Sequence, residues 1–307
     1  MYMTPVIFST DPGIDDAVAI AIALADPTLD VRLIVPLSGN IDVHLATNNV
    51  RKLLTFLGQS HVRVVPGSAT PLLRPLINAA DIHGESGMDG FDFPAPTVQA
   101  DTTTTGVEAM HAEIKASAEP VTIIAIGPLT DVAVLLQQHP EDKERIDRIM
   151  IMGGSLGRGN IGVLSEFNFA VDPEAASMVF SSGVELHVAP LDVGNAATIM
   201  PEMSERIRDL GPVGDMFYHL FRAFRSGSFE TGLQIYDPLA VGMLLVPDLF
   251  TEEYTHVAID TASELTAGAS LIDLQDYLHR PANAHVAVDV DVDGFREWFV
   301  QAIRLSD

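Results

Sequence analysis

An open, doubly wound α/β sheet, mostly parallel with helices on both faces, is the fold class this sequence predicts. Three observations predict it. Short apolar runs alternate with helical patterns along the chain. The apolar runs are continuous rather than alternating, as strands covered on both faces must be. Acidic and amide residues collect just after these runs, where open α/β sheets place their ligands.

The elements follow in order. Val6-Ile7-Phe8 reads as the first strand, and an Ala-, Ile- and Leu-rich helix over 15–25 stops at Asp26-Pro27. A buried strand over 31–37 leads to a helix over 44–57 that ends at Gly58, then to a short strand over 62–65. A helix over 108–118, a strand over 121–126 and a helix over 129–138 come next. The series continues with a strand over 149–152, a helix over 174–182 and a strand over 186–189. Two stretches break the rhythm: 71–96, dense in Gly, Pro, His and Asp, and 222–234, rich in Gly and Ser. Long irregular segments in a compact fold are commonly binding loops or lids, so both are expected to close over a ligand. No linker composition and no internal repeat interrupts the chain, which predicts one domain over 1–307.

Composition narrows the function classes. A hydrophobic fraction of 47% and a mean hydropathy of +0.24 are ample for a large core. The net charge of −25, with no Lys/Arg cluster, disfavours nucleic acid and anionic membranes and suits a small uncharged substrate. The absence of cysteine excludes disulfides, thiolate zinc sites and cysteine nucleophiles. Met1-Tyr2-Met3-Thr4-Pro5 carries no basic leader region, and the apolar run 17–25 is too short to span a bilayer, so a cytoplasmic protein is expected.

The strongest local signal is Asp11-Pro12-Gly13-Ile14-Asp15-Asp16, three carboxylates at the end of the first strand. Carboxylates so close repel one another unless a cation neutralises them, and an all-oxygen donor set calls for a hard one, Ca²⁺ or Mg²⁺. Against this stands the plainer reading that Asp15 and Asp16 cap the next helix while Asp11 serves a turn. Further polar groups sit at other strand ends: Ser38-Gly39-Asn40, Met152-Gly153-Gly154, the loop with Asn160, Glu166, Phe167 and Asn168, and Asp237-Pro238. Together they suit a polyhydroxylated ligand such as a sugar. Singly, Asn40 reads as a turn residue, Met152 and Phe167 as packing, and Asp237 as a helix cap.

Asp11-Pro12-Gly13-Ile14-Asp15-Asp16-Ala17, Gly39-Asn40, His83-Gly84-Glu85-Ser86-Gly87, Gly127-Pro128-Leu129-Thr130, Met152-Gly153-Gly154 and Glu166-Phe167-Asn168 occur in an order and spacing that resembles the inosine–uridine nucleoside hydrolase family. The resemblance runs from near residue 5 to a final helix near 303. It implies hydrolysis of the N-glycosidic bond of a ribonucleoside by direct attack of water, with bound Ca²⁺. It also implies a homo-oligomer, dimer or tetramer. Under it Asp11 would be the general base and touch the metal. Asp16, the carbonyl of Ile126 and Asp237 would be further metal ligands. Asp15, Asn40, Asn160, Glu166 and Asn168 would hold the ribose, with Met152 and Phe167 lining its pocket. Such roles agree with the chemistry, since an oxocarbenium-like state puts positive charge on the sugar, which a ring of carboxylate and amide oxygens stabilises.

Two departures stand out. Members of the family carry His before the late Asp-Pro, where this chain has Tyr236-Asp237-Pro238. An unperturbed tyrosine, with a pKa near 10, is a reluctant acid, so activation of the leaving base falls to His83 or to Tyr236. A histidine placed like His83 resembles pyrimidine-cleaving members, which leans the expected substrate towards uridine. Ser9 stands where the family often has another Asp. The alternative is a calcium-dependent ribonucleoside-binding protein with little turnover, favoured by Tyr236 and opposed by Asp11. The literal G-x-G-x-x-G at 157–162 is not a dinucleotide site, because no helical pattern opens on it. An aspartyl-nucleophile phosphohydrolase is disfavoured by Ser9, which breaks the D-x-D spacing.

Overall fold

The computed structural model describes residues 3–306, so the terminal Met1 and Tyr2 of the leader argument lie outside the described residues. Eight strands form one continuous sheet: β1 (Thr4–Thr10), β2 (Leu29–Pro36), β3 (Arg63–Val64), β4 (Val121–Ala125), β5 (Ile146–Met152), β6 (Leu186–Ala189), β7 (Phe250–Thr255) and β8 (Ala284–Val290). Their spatial order is β3-β2-β1-β4-β5-β6-β8-β7, parallel throughout except for β7, which pairs antiparallel with β8 at one edge. The chain winds from β1 outward through β2 and β3, then returns to lay β4 on the other side of β1. That reversal is the switch point at which open α/β sheets bind ligands, beyond the carboxyl ends of the strands.

Period-two alternation sends neighbouring apolar side chains to opposite faces. Val6 and Phe8 join one core while Ile7 joins the other, and Met150 and Met152 are likewise divided from Ile149 and Ile151. The first core is covered by helices Ile14–Ala25, Val43–Phe56, Pro212–Ala223, Pro238–Leu245 and Val292–Leu305. Helices Gly106–Ala116, Thr130–Gln138 and Pro173–Phe180 cover the second. Helix Ile14–Ala25 is buried along almost its whole length, and its alanines let it lie between the sheet and the helices Pro238–Leu245 and Val292–Leu305.

The expected elements recur with ends moved by a few residues, as fraying and capping allow. Strand 62–65 contracts to Arg63–Val64, and helix 108–118 starts earlier, at Gly106, because the Thr105 hydroxyl accepts the Glu108 N–H and caps it. The run 157–162 stays a loop, with the next helix beginning only at Phe167. Among the described residues no helix is long and apolar enough to cross a membrane.

Candidate active site

A cavity of about 400 Å³ opens above the carboxyl ends of the central strands, within the size range of small-molecule sites. Its wall includes Asp15, Asn40, His83, Ile126, Met152, Asn160, Glu166, Phe167, Asn168, Tyr236 and Asp237. Eleven positions singled out from the sequence thus converge on one space. Asp11 and Asp16 are fully buried beside that wall rather than part of it.

Asp11 follows β1, and its Oδ2 accepts the Asn40 N–H at 2.6 Å. Room for this carboxylate depends on two glycines. A Cβ on Gly39 would stand 2.0 Å from Asp11 Oδ2, and one on Gly127 would stand 2.5 Å from Oδ1. The Gly-Asn and Gly-Pro-Leu-Thr motifs are therefore space requirements of Asp11. Asp16 accepts the Thr10 hydroxyl at 2.6 Å and the Gly13 N–H at 2.9 Å, so it does cap its helix. Asp15 does not: its Oδ2 accepts the Tyr236 N–H at 3.3 Å. Asp237 stands at the start of helix Pro238–Leu245 without a capping bond, which leaves its carboxylate to the site. The Ser9 hydroxyl is buried with no hydrogen-bond partner among the described residues, and the support of Asp16 comes from Thr10 and the backbone instead.

Carboxylate oxygens of Asp15, Asp16 and Asp237 lie within 4.8 Å of one another, all buried. Oδ1 of Asp11 and Oδ1 of Asp15 are buried without a hydrogen-bond partner among the described residues. Burial is the main force raising all four acids, and mutual repulsion adds to it for Asp11, Asp16 and Asp237. Asp15 is pushed up to about 6 by burial. Buried, partly unpartnered carboxylates side by side must take up either protons or a cation. The donor set therefore fits a hard metal ion.

Around this floor the amides are held in fixed poses. Asn168 Nδ2 donates to the carbonyls of Ile126 and Met152, both at 3.1 Å, and so ties the ends of β4 and β5 together. Glu166 accepts the N–H groups of Asn168 and Gly154 at 2.8 and 2.9 Å, and burial raises it to about 7. Asn160 Oδ1 accepts the Phe167 N–H at 3.0 Å. His83 Nδ1 accepts the Ile14 N–H at 3.2 Å, so its proton sits on Nε2. Burial lowers it to about 4, and the ring packs on Phe224 at 5.2 Å. A Cβ on Gly13 would strike this imidazole at 2.4 Å. Tyr236 is raised by burial and donates its hydroxyl proton to Asn195 at 3.0 Å.

Sequence reasoning missed Asn78, Asp81, Ile82, Phe224, Arg225 and Gln234, which also line the cavity. The signal lay in the segments 71–96 and 222–234, which both border it and meet where Arg225 N–H bonds to the Ile82 carbonyl at 3.2 Å.

A switch-point cavity with a buried carboxylate floor and a collar of amides defines an α/β enzyme site for a small, polar, hydroxyl-rich ligand. The chain belongs to the inosine-uridine preferring nucleoside hydrolase family, whose model matches residues 6–297. It is 46% identical over 301 residues to a non-specific ribonucleoside hydrolase of Salmonella paratyphi C, covering 98% of each chain. Among solved structures, the purine-preferring ribonucleoside hydrolase of Gardnerella vaginalis superposes with a TM-score of 0.90 at 26% identity, over 99% of both chains. A plant nucleoside hydrolase does so with a TM-score of 0.87 at 27% identity, also over 99% of both. The chain is accordingly a ribonucleoside hydrolase, an enzyme that breaks N-glycosidic bonds.

Proposed function

We propose that this one-domain enzyme is calcium-dependent and cleaves ribonucleosides to ribose and free base by direct attack of water, with uridine the first substrate. The observation that carries the reading is the buried group Asp15, Asp16 and Asp237 beside Asp11, in which Asp11 and Asp15 each keep an oxygen without a partner among the described residues. Asp11, Asp16, Asp237 and the Ile126 carbonyl would hold the ion. When bound, Ca²⁺ supplies a flexible oxygen shell for vicinal hydroxyls and water, and thus acts chiefly as a template.

Asp11 acts as general base. Its free Oδ1 receives the water proton as the water oxygen bonds to the anomeric carbon and the base departs with the glycosidic electron pair. Asp15, Asn40, Asn160, Glu166 and Asn168 hold the ribose hydroxyls, and their oxygens stabilise the charge that grows on the ring. Met152 and Phe167 exclude water from the sugar. His83, neutral and with Nε2–H available, donates a hydrogen bond to the departing base; a uracil carbonyl accepts it directly. The relative at 46% identity is named a non-specific ribonucleoside hydrolase, so uridine is placed first in a broad range of bases.

Ribose release from uridine, cytidine, inosine and adenosine, with Ca²⁺ and with a strong chelator, tests this reading. Turnover should require the ion and rank uridine first. Binding of Ca²⁺ and nucleoside without any ribose release would instead support the alternative of a binding protein.

A further inference from the structure

A second group of titratable side chains lies at the opposite end of the sheet from the cavity. Strands β6 and β8 run parallel, with His187 in register with His285 near the amino end of each. On the other side of β8, Tyr254 of β7 is in register with His285. Period-two alternation puts Glu185 on the same side as His187, and Glu252 on the same side as Tyr254. The rings form a ladder across the three strands. His187 stacks on His285 at 4.7 Å with 10° between the planes, and His285 stacks on Tyr254 at 4.5 Å. Glu252 Oε2 lies 2.8 Å from His187 Nδ1 and 3.9 Å from His285 Nδ1. One carboxylate oxygen thus faces the same nitrogen of both rings, and both Nε2 atoms fall on the other side. There Glu185 Oε1 stands 3.2 Å from His187 Nε2. Ligand atoms of Glu185, His187 and His285 all lie within 4.8 Å of one another.

Two imidazoles and a carboxylate suit a borderline ion such as Zn²⁺, unlike the all-oxygen set around Asp11. We propose that Glu185, His187 and His285 form a second metal site, which takes a zinc-class divalent cation through both Nε2 atoms and a carboxylate oxygen, with water completing the shell. Glu252 is its positioning residue. By accepting the Nδ1 proton it fixes the tautomer that leaves Nε2 as the ligand, as carboxylates do for metal-bound histidines. The ion takes the place that a proton holds between His187 Nε2 and Glu185. A tetrahedral ion about 2.1 Å from each nitrogen sets them about 3.4 Å apart, so the rings tilt towards each other at that edge. Two carboxylates balance its double charge, and the net charge of −25 favours cations generally. Arg148, whose charge reaches His187, is paired with Asp147 at 2.7 Å. The side chains of His187 and His285 are 12% and 35% exposed, which gives the ion a path from solvent. The consequence is mechanical. β8 joins β6 through His285 with His187 and Val286 with Val188, a short ladder that also carries the edge strand β7, and the ion cross-links it.

Calorimetric titration of the whole chain with Zn²⁺ in excess Ca²⁺ tests the site, with wild type set beside His187→Ala, His285→Ala and Glu252→Gln. Wild type should take up one equivalent of Zn²⁺ more than either histidine variant. Ions bound elsewhere, at the aspartates or at His111 and His139, are common to all the proteins and cancel in that difference. Glu252→Gln should keep the equivalent but bind it about 10–100-fold more weakly, the usual cost of removing an orienting carboxylate. Zn²⁺ should raise the melting temperature of wild type by a few degrees more than that of either histidine variant. Ribose release with Ca²⁺ alone should be the same in all the proteins, since the group lies at the far end of the strands from the cavity, and this also shows that the variants fold. Equal Zn²⁺ uptake by wild type and both histidine variants overturns the proposal. Unchanged affinity in Glu252→Gln overturns the positioning role given to that carboxylate.

Discussion

Replacing Asp237 with asparagine should make the metal-free protein more stable while abolishing its activity. Asp237 shares a buried space with Asp15 and Asp16, their oxygens within 4.8 Å. At that separation and an effective dielectric near 20, each like-charged pair costs roughly 3 kcal/mol. Partial protonation relieves some of this, and the burial that raises Asp237 is the main cause of that protonation. A neutral isostere such as asparagine removes Asp237's share of that repulsion. Urea unfolding at pH 8 with a strong chelator should therefore show Asp237→Asn more stable than wild type by about 1 kcal/mol or more. With Ca²⁺ the order should invert, because an ion at a hundredfold its Kd adds about 2.7 kcal/mol to wild type and little to the variant. Equal destabilisation of the variant with and without Ca²⁺ would refute the reasoning, for it would mean that Asp237 contributes packing rather than charge.

Other outcomes follow from the same geometry. Asp11→Ala should lower kcat for uridine by about 10²–10⁴, the usual contribution of a positioned base, in a ribose-release assay, and a loss below tenfold would remove Asp11 from that role. Glu166, raised to about 7, and Asp15, raised to about 6, bind protons in the folded state that the unfolded chain has released. Their stabilising contribution is therefore full below about pH 4 and fades as pH rises to about 7, so the melting temperature in chelator should fall across that window, whereas Ca²⁺ should flatten the fall. His83 is held near 4 by burial, so the activity profile should show no inflection near 6.5, and His83→Ala should reduce kcat/KM for uridine far more than for p-nitrophenyl β-riboside. Amide hydrogen exchange of 71–96 and 222–234 should slow on binding a ribose-like inhibitor, and unchanged protection in both would show that neither segment closes over the ligand.

Much of the architecture could be read from the chain because its causes are local. Continuous apolar runs of strand length, helices bounded by Asp26-Pro27 or Gly58, and motif glycines all act over a few residues, so strands β1 to β6 and the helices between them were legible. The edge strand β7 and its neighbour β8 were not. Phe250–Thr255 mixes charge and aromatic residues as a solvent-facing edge does, and its pairing with β8 joins residues 29 to 40 positions apart, from Thr255 with Ala284 to Phe250 with Val290. The site was legible as a set of residue types at strand ends, since the three aspartates of 11–16 are sequence neighbours.

Which partner each of those side chains meets was decided by the fold alone. Asp15 and Asp16 are adjacent, yet one caps its helix while the other reaches Tyr236, 221 positions away. Asp237 has the sequence of a helix cap and does not cap. His83 owes its neutral form and its Nε2 proton to Ile14, 69 positions distant, and to burial that no local pattern records. Asn195, in an unremarked short helix, orders two residues of the cavity wall. The physical reason is common to all four. Periodicity, capping and turn chemistry are short-range, so sequence determines the elements and the kinds of group at their ends. Desolvation, charge repulsion and hydrogen-bond direction depend on distances across the switch point, and only the packed sheet sets those distances.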